Sequence, residues 1–136
     1  IDGFVNSHRI KKITSLNLSG KGVNDLTGIE DFTSLKVLIA NNNLISEIDL
    51  TFNTELEILL LNNNSIKYLD LTNNINLQII SINENSIQNL DLSSITNLVE
   101  FSSLNNEILC IKISTDQIVS SKNWFKDSNV IFDTSC

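Results

Sequence analysis

The residue types that do most of the chemistry in enzymes are scarce in this sequence. Its 136 residues include one histidine, His8, and two cysteines, Cys110 and Cys136. Nucleophilic catalysis needs a serine or cysteine activated by a base, and no such partner lies in a recognisable arrangement around His8. The sequence also lacks a glycine-rich phosphate loop and a cysteine/histidine metal cluster. We therefore expect no enzymatic activity, no catalytic residue, no cofactor and no metal site.

Three aspartates recur at a fixed spacing and are the best candidates for binding a cation. Asp49, Asp70 and Asp91 each begin an Asp-Leu-Ser/Thr triplet, and 70−49 and 91−70 are both 21. Calcium takes roughly six to eight oxygen ligands, and no second column of carboxylates accompanies these three. The alternative is that each carboxylate accepts hydrogen bonds inside its own turn. The sequence favours this local capping role.

The first residues contain a fragment similar to a calcium loop. Asp2–Val5 resembles the middle of an EF-hand or dockerin loop, but the slot for the bidentate glutamate falls on Arg9. A cation at that slot cannot complete a calcium site. We predict instead a short helix that Asn6 caps and that runs through Ile10.

The cysteines allow a covalent closure of the C-terminal end. A disulfide between Cys110 and Cys136 would stabilise the fold by roughly 3–4 kcal/mol in the chain-entropy model. Two free thiols are the alternative. Placement at the end of the chain, where an apolar core must be closed, favours the bridge and an oxidising, extracytoplasmic compartment.

A sequence repeat defines the elements that position these residues. Copies of 21 residues begin at Leu35, Leu56 and Leu77, Leu98 begins a divergent copy, and a 22-residue copy precedes them from Ile13. A fixed period of this length predicts a solenoid, in which each coil covers its neighbour.

The apolar positions of each copy follow L-x-x-L-x-L-x-x-N-x-L, the leucine-rich repeat pattern. The chain resembles bacterial leucine-rich repeat proteins, both secreted or surface proteins of Bacteroidetes and internalin-like modules with repeats of 21–22 residues. The resemblance implies a leucine-rich repeat solenoid, α/β class by family but here mostly β, with about five right-handed coils and a parallel sheet on the concave face. It implies one domain, 1–136, with an N-terminal cap (1–12), repeats (13–109) and a disulfide-closed C-terminal cap (110–136).

The resemblance also assigns structural roles to single residues. It implies a ladder of inward asparagines that bond the backbone of adjacent coils, formed by Asn43, Asn64, Asn85 and Asn106. Lys21 replaces the asparagine in the first copy, where we expect an exposed or irregular coil. In the cap, the resemblance pairs Cys110 with Cys136 and places Trp124 and Phe132 over the last coil.

The second half of each copy is also strand-like. Alternating apolar residues around Asp49, Asp70, Asp91 and Lys112 predict a second extended segment in each coil. The first copy instead resembles the 22-residue internalin-type unit, which implies a short 3₁₀ turn between Leu26 and Leu35.

The side chains that face out of the predicted sheet are the most informative for function. The middle copies place five aliphatic residues at these outward slots: Val37, Ile39, Ile58, Leu60 and Ile79. Together they would expose roughly 300–400 Å², the size at which an apolar patch usually marks a contact. Its predicted polar border comprises Lys36, Glu57 and Gln78 on one side, Asn41, Asn62, Asn63, Asn83 and Glu84 on the other, and Ser81 at the end of a row. An apolar centre with a polar rim is typical of a protein interface, although strand propensity alone or self-association would also explain it.

Composition limits the partners. The net charge of −7 argues against nucleic acid, and no run approaches the roughly 20 apolar residues of a membrane span. The first twelve residues lack the apolar core of a signal peptide, so we expect a removed leader or an excised fragment. One Trp and one Tyr favour a protein ligand over a glycan, and Tyr68 is expected to pack on the surface.

Two functional hypotheses follow. In the first, the chain is an extracellular or cell-surface recognition or adhesion module whose concave sheet binds a protein. In the second, it is a structural spacer of a larger exported protein, and the aliphatic residues serve self-association as a homodimer through the concave face.

Overall fold

The computed structural model describes residues 7–120 and 124–136 and shows a leucine-rich repeat solenoid built from short parallel strands. In this part of the chain, helix is confined to α1 (Ser7–Ile10), α2 (Gln117–Ser120) and a 3₁₀ turn at Ile29–Asp31. The predicted short helix and the predicted 3₁₀ turn are thus confirmed. The calcium-loop-like fragment Asp2–Val5 and the proposed cap residue Asn6 lie outside the described residues.

One strand from each copy joins a five-stranded parallel sheet. Its order is β1, β2, β3, β4 and β6, with bounds Ser15–Asn17, Val37–Ile39, Ile58–Leu60, Ile79–Ser81 and Glu100–Ser102. The register repeats the sequence period, since Leu38 pairs with Leu59 and Leu59 with Ile80. The spacing of the copies therefore sets the strand alignment directly.

The core lies on the inner side of this sheet. The central residues Leu38, Leu59, Ile80 and Phe101 are at most 2% exposed, whereas their strand neighbours are half-buried or exposed. This alternation follows from the two-residue period of a strand. Coil by coil, the inward leucines and isoleucines form one continuous apolar column.

The second half of the copies forms strands only at the C-terminal end. β5 (Leu90–Asp91), β7 (Cys110–Lys112) and β8 (Ile131–Asp133) make a three-stranded parallel sheet. The predicted strands around Asp49 and Asp70 are wrong, because those segments are irregular. Alternating apolar residues predict an extended backbone, but ladder pairing also depends on the distance between coils, which no local pattern contains.

The C-terminal segment closes the open end of the core. Cys110 and Cys136 form a disulfide, with Cα atoms 5.9 Å apart. Trp124 is buried and meets the rings of Phe101 and Phe132 edge-on at centroid distances of 5.6 and 5.7 Å. These contacts confirm that Trp124 and Phe132 cover the last coil, where a solenoid would otherwise expose apolar side chains.

The first coil is less well packed than the middle coils, as predicted from Lys21. Leu16, Leu18 and Val23 are only partly buried, and Lys21 is exposed. Among the described residues, no helix is long and apolar enough to cross a bilayer.

Candidate functional site

The outward side chains of the five-stranded sheet stand in two rows that run across the strands. The strand register aligns Val37, Ile58 and Ile79 in one row, and Ile39 with Leu60 in the other. Neighbours in a row lie about 4.8 Å apart, the strand spacing. We call these five residues the aliphatic patch.

Each member of the aliphatic patch is half-buried. The inward faces of the strands are already filled by the core, so the partial burial of the patch comes from its own side chains and their neighbours on the sheet. Aliphatic side chains at this spacing shield one another, and the surface left over is a continuous apolar strip with little conformational freedom.

A salt bridge lies at one border of the aliphatic patch. Lys36 Nζ contacts Glu57 Oε1 at 2.8 Å, and Gln78 is exposed at the next position of the same column. The hydrogen bond and the charge of Glu57 raise the pKa of Lys36. Both side chains are about half exposed, so we expect the pair to orient a partner more than it stabilises the fold.

The other border is stiffened by a ladder of outward asparagines that the sequence did not reveal. Asn41 Oδ1 accepts hydrogen bonds from the backbone and side-chain N–H groups of Asn62 at 2.8 and 3.1 Å. Asn62 Oδ1 in turn accepts from Asn83 N and from the Ser81 hydroxyl at 2.8 and 2.7 Å. Ser81, predicted as a contact residue, is therefore also a member of this ladder.

The structure adds one residue to this face that the sequence did not predict. Phe125, from the C-terminal segment, forms an isolated parallel bridge with Ser102 and is 63% exposed. It continues the row of Ile39 and Leu60, three strand spacings or about 14 Å beyond Leu60. The sequence did contain a signal for Phe125, because it directly follows Trp124, which was predicted to face the core. Adjacent residues of a strand face opposite sides, so Phe125 should face outward.

The inward asparagines form the ladder that the leucine-rich repeat pattern predicts. Asn64 Nδ2 donates to Ala40 O and Leu61 O at 3.0 Å each, and its Oδ1 accepts from Ile45 N at 3.1 Å. The same pattern of bonds is made by Asn43, Asn85 and Asn106. In the first coil, where Lys21 stands in this slot, Asn43 Oδ1 accepts from the Lys21 N–H. The ladder is scaffold, because it satisfies backbone groups that the tight turns would leave without partners.

A second inward ladder lies in the other turn of the coils. Asn53 Nδ2 donates to Ile29 O and Phe32 O, and Asn74 Nδ2 donates to Leu50 O and Asn53 O. Ile95 occupies the slot in the next copy, and one coil further Gln117 Nε2 makes the equivalent bonds, to Leu92 O and Ile95 O, both at 2.9 Å. The 21-residue spacing of Asn53 and Asn74 was visible in the sequence, but the continuation of the ladder by Gln117, from outside the repeats, was not.

The aspartate triplets cap their own turns, as predicted. Asp49 Oδ1 accepts from Thr51 N, and Asp70 Oδ1 accepts from the backbone and hydroxyl of Thr72. Asp91 makes the same turn and also an ion pair with Lys112 at 3.1 Å. Partial burial raises the pKa of Asp91, but hydrogen bonds from Ser93 and the Lys112 ammonium together bring it below its ordinary value.

The same turn occurs in the first coil, where the 21-residue register does not predict it. Asp25 Oδ1 accepts from the backbone and hydroxyl of Thr27, both at 2.7 Å. The signal was the Asp-Leu-Thr triplet at 25–27, which lies 24 residues before the Asp49 triplet and so outside the 21-residue register. Among the described residues, no three carboxylate, histidine or cysteine side chains cluster closely enough to hold a metal ion.

The sequence matches no protein-family model and no curated protein, but solved structures match the fold. Internalin C2 from Listeria monocytogenes superposes with a TM-score of 0.71 at 26% identity, over 93% of this chain and 55% of that chain. The internalin InlF from the same organism gives 0.67 at 20% identity, over 90% and 49%. The functional domain of Listeria InlJ, described as including a cysteine ladder, gives 0.65 at 23% identity, over 79% and 31%.

This chain therefore spans between about a third and a half of the length of the internalins it matches. The predicted internalin-like resemblance is confirmed at the level of fold, whereas the resemblance to Bacteroidetes proteins stays a prediction. The structure is that of an internalin-type leucine-rich repeat solenoid.

Proposed function

We propose that the chain is a non-enzymatic recognition or adhesion module that binds a protein through the outer face of its five-stranded sheet, the face predicted to be concave. The supporting observation is the aliphatic patch. The repeat pattern requires apolar residues only at inward slots, yet three adjacent strands also carry them outward. Solenoids of this kind present extended surfaces for partners, and an apolar centre bordered by polar groups suits a protein.

The aromatic residues favour a protein over a glycan as the ligand. Sugar rings stack on exposed aromatic side chains, but Trp124 is 6% exposed and is used by the C-terminal cap. Phe125 is the exposed ring on the sheet face within the described residues, and it has no polar handle. An aliphatic strip with one phenylalanine further along the same face suits the apolar centre of a protein interface.

An extracellular or cell-surface location is part of the same proposal. The Cys110–Cys136 disulfide is of the kind that persists in oxidising compartments. The described part of the chain contains no free cysteine.

The alternative is a spacer that self-associates through the same face. An apolar strip whose rows repeat along the sheet is complementary to a second copy turned about a two-fold axis. A second copy, instead of a different protein, would then cover the aliphatic patch. The oligomeric state of the wild type distinguishes the two cases.

The test replaces the two central patch residues with aspartate, as Ile58→Asp with Leu60→Asp. The matched control is Leu44→Ser, which changes an apolar residue that is 65% exposed away from the patch. The variant proteins are compared with the wild type by affinity capture of extracellular proteins and by light scattering behind size exclusion, after thermal melts confirm folding.

The proposal predicts that the double variant loses specific captured proteins that the wild type and Leu44→Ser retain. If instead the wild type is a dimer and only the double variant is monomeric, the self-association alternative is correct. A folded double variant with unchanged partners and an unchanged oligomeric state would refute a binding role for the patch.

A further inference from the structure

A second surface lies outside the five-stranded sheet and is not explained by the repeat. A groove of about 760 Å³ crosses the first three coils on the side of their second halves. Five carboxylates line it: Asp25, Glu30, Glu47, Asp49 and Asp70. Two aromatic side chains, Phe52 and Tyr68, lie among them. We call this surface the acidic groove.

The two aromatic residues of the acidic groove are exposed without a structural reason. Phe52 is 60% and Tyr68 is 70% exposed. The equivalent slots in the other 21-residue copies hold polar residues, namely Asn73 and Ser94 for Phe52, and Glu47 and Asn89 for Tyr68. The solenoid therefore folds without aromatic residues at these slots, and burial of the two rings against a partner would remove apolar surface from water.

The charge of the acidic groove is not neutralised within the part of the chain that the structure describes. No lysine or arginine is among its lining residues. At the other end of the aspartate column, by contrast, Lys112 pairs with Asp91 at 3.1 Å. The negative potential is thus concentrated on the first three coils, beside the exposed rings.

The groove aspartates keep capacity for an external cation. Asp25, Asp49 and Asp70 each use Oδ1 for the turn, and in the described residues no hydrogen bond ends on their Oδ2. Hydrogen bonds from Thr27 and Thr51 hold the pKa values of Asp25 and Asp49 below the ordinary range, so both carboxyls stay ionised in mildly acidic surroundings.

We propose that the acidic groove docks a basic segment of a partner protein, whose lysine or arginine side chains pair with Asp49 and Asp70 and lie against Phe52 and Tyr68. Charge complementarity identifies the occupant, because a guanidinium or ammonium group satisfies a carboxylate and is also attracted to an aromatic face. A single divalent ion fits less well, since the described carboxylates do not converge to within the reach of one metal. Separate cationic side chains, spaced along a peptide, match carboxylates spread over three coils.

The test uses the intact, oxidised protein and a fluorescein-labelled hexa-arginine peptide, with a hexa-citrulline peptide as the uncharged isostere. Fluorescence anisotropy at low salt measures the Kd. The groove variant is Asp49→Asn with Asp70→Asn, which keeps the turn-capping oxygens. The control is Glu55→Gln with Glu100→Gln, which removes two charges from exposed positions outside the groove.

We expect the arginine peptide to bind and the citrulline peptide to bind far more weakly. Each lost carboxylate should weaken binding about threefold, and so about tenfold for the groove variant, with little change for the control. Phe52→Ser with Tyr68→Ser should weaken binding about fivefold at unchanged net charge. Both groove variants alter exposed side chains and should stay folded, and the asparagine variant should melt only slightly below the wild type because it lacks the stabilising Asp49 carboxylate.

Equal losses in the groove and control variants would show attraction by net charge alone and would overturn the proposal. Binding of the citrulline peptide with equal affinity would do the same. Displacement of the peptide by calcium at about 1 mM, beyond the effect of sodium chloride at equal ionic strength, would assign the groove to a metal instead. The inference is independent of the aliphatic patch, so Ile58→Asp with Leu60→Asp should leave peptide affinity unchanged apart from the added charge.

Discussion

Substitution of Asn64 by alanine tests how much the inward ladder stabilises the solenoid. The change removes four hydrogen bonds: from Nδ2 to Ala40 O, Leu61 O and Asn62 O, and from Ile45 N to Oδ1. The four backbone groups are not affected equally, because each carbonyl has a second donor. Ala40 O also accepts from Asn43, Leu61 O from Asn85 and Asn62 O from Asn42 N, whereas the N–H of the fully buried Ile45 depends on Asn64 within the described residues.

The expected cost follows from this difference. An orphaned buried N–H costs about 2 kcal/mol, and each of the three carbonyls that keep one donor loses about 0.5 kcal/mol, so Asn64→Ala should lower the free energy of unfolding by about 3.5 kcal/mol. For a chain of this size the melting temperature should fall by about 10 °C. Urea titration and thermal melts followed by circular dichroism measure both quantities.

The matched control is Asn76→Ala. Asn76 makes one exposed hydrogen bond, from Nδ2 to Thr54 O at 3.0 Å, so its loss should change the free energy by less than about 0.5 kcal/mol. If Asn64→Ala and Asn76→Ala lower stability equally, the inward ladder does not have the structural role argued for it.

Three further predictions concern the cap, the turns and the acid response. Replacing both Cys110 and Cys136 with serine should lower the free energy of unfolding by about 3.5 kcal/mol, as the 26-residue separation implies, and hydrogen exchange should rise first in β7 and β8; uniform exchange along the chain would contradict this. Glu84 has φ of 56° at a slot where the preceding copies place asparagine, so Glu84→Asn should raise stability by about 0.5 kcal/mol in urea titration, and a loss would argue against backbone strain there. Hydrogen bonds from Thr51 lower the pKa of Asp49 in the folded protein. The ionised carboxylate therefore stabilises the fold at pH values above its ordinary pKa of 3.8, and this stabilisation is lost as the pH falls through the lower pKa of the folded state. Asp49→Asn should therefore lose less stability than the wild type between about pH 5 and pH 2, and identical acid profiles would refute the linkage.

The architecture could be predicted from sequence because each coil is built by local rules repeated at one interval. Once the period is known, Leu38 and Leu59 can be predicted to lie side by side without any information on long-range contacts. The inward ladder could be predicted for the same reason, since Asn43, Asn64 and Asn85 occupy the same slot in the three middle copies.

What the sequence did not reveal lies where the period ends or is replaced by an outside contact. Gln117 continues the second inward ladder one coil beyond Ile95, and Phe125 extends the outer face from beyond the repeats. Both depend on how the C-terminal segment packs back onto the last coils, which is a tertiary property. The acidic groove was missed because Asp25 is out of register and because Phe52 and Tyr68 lie 16 residues apart in different copies.

The central claim is that the outer face of the five-stranded sheet is the protein-binding surface. Photochemical carbene labelling of the free module and of the module bound to its captured partner, or to a second copy, tests it most directly. The account predicts that labelling of Ile58 and Leu60 falls in the complex while labelling of the exposed Leu44 and Leu109 is unchanged. Unchanged labelling of Ile58 and Leu60, with protection elsewhere, would contradict it.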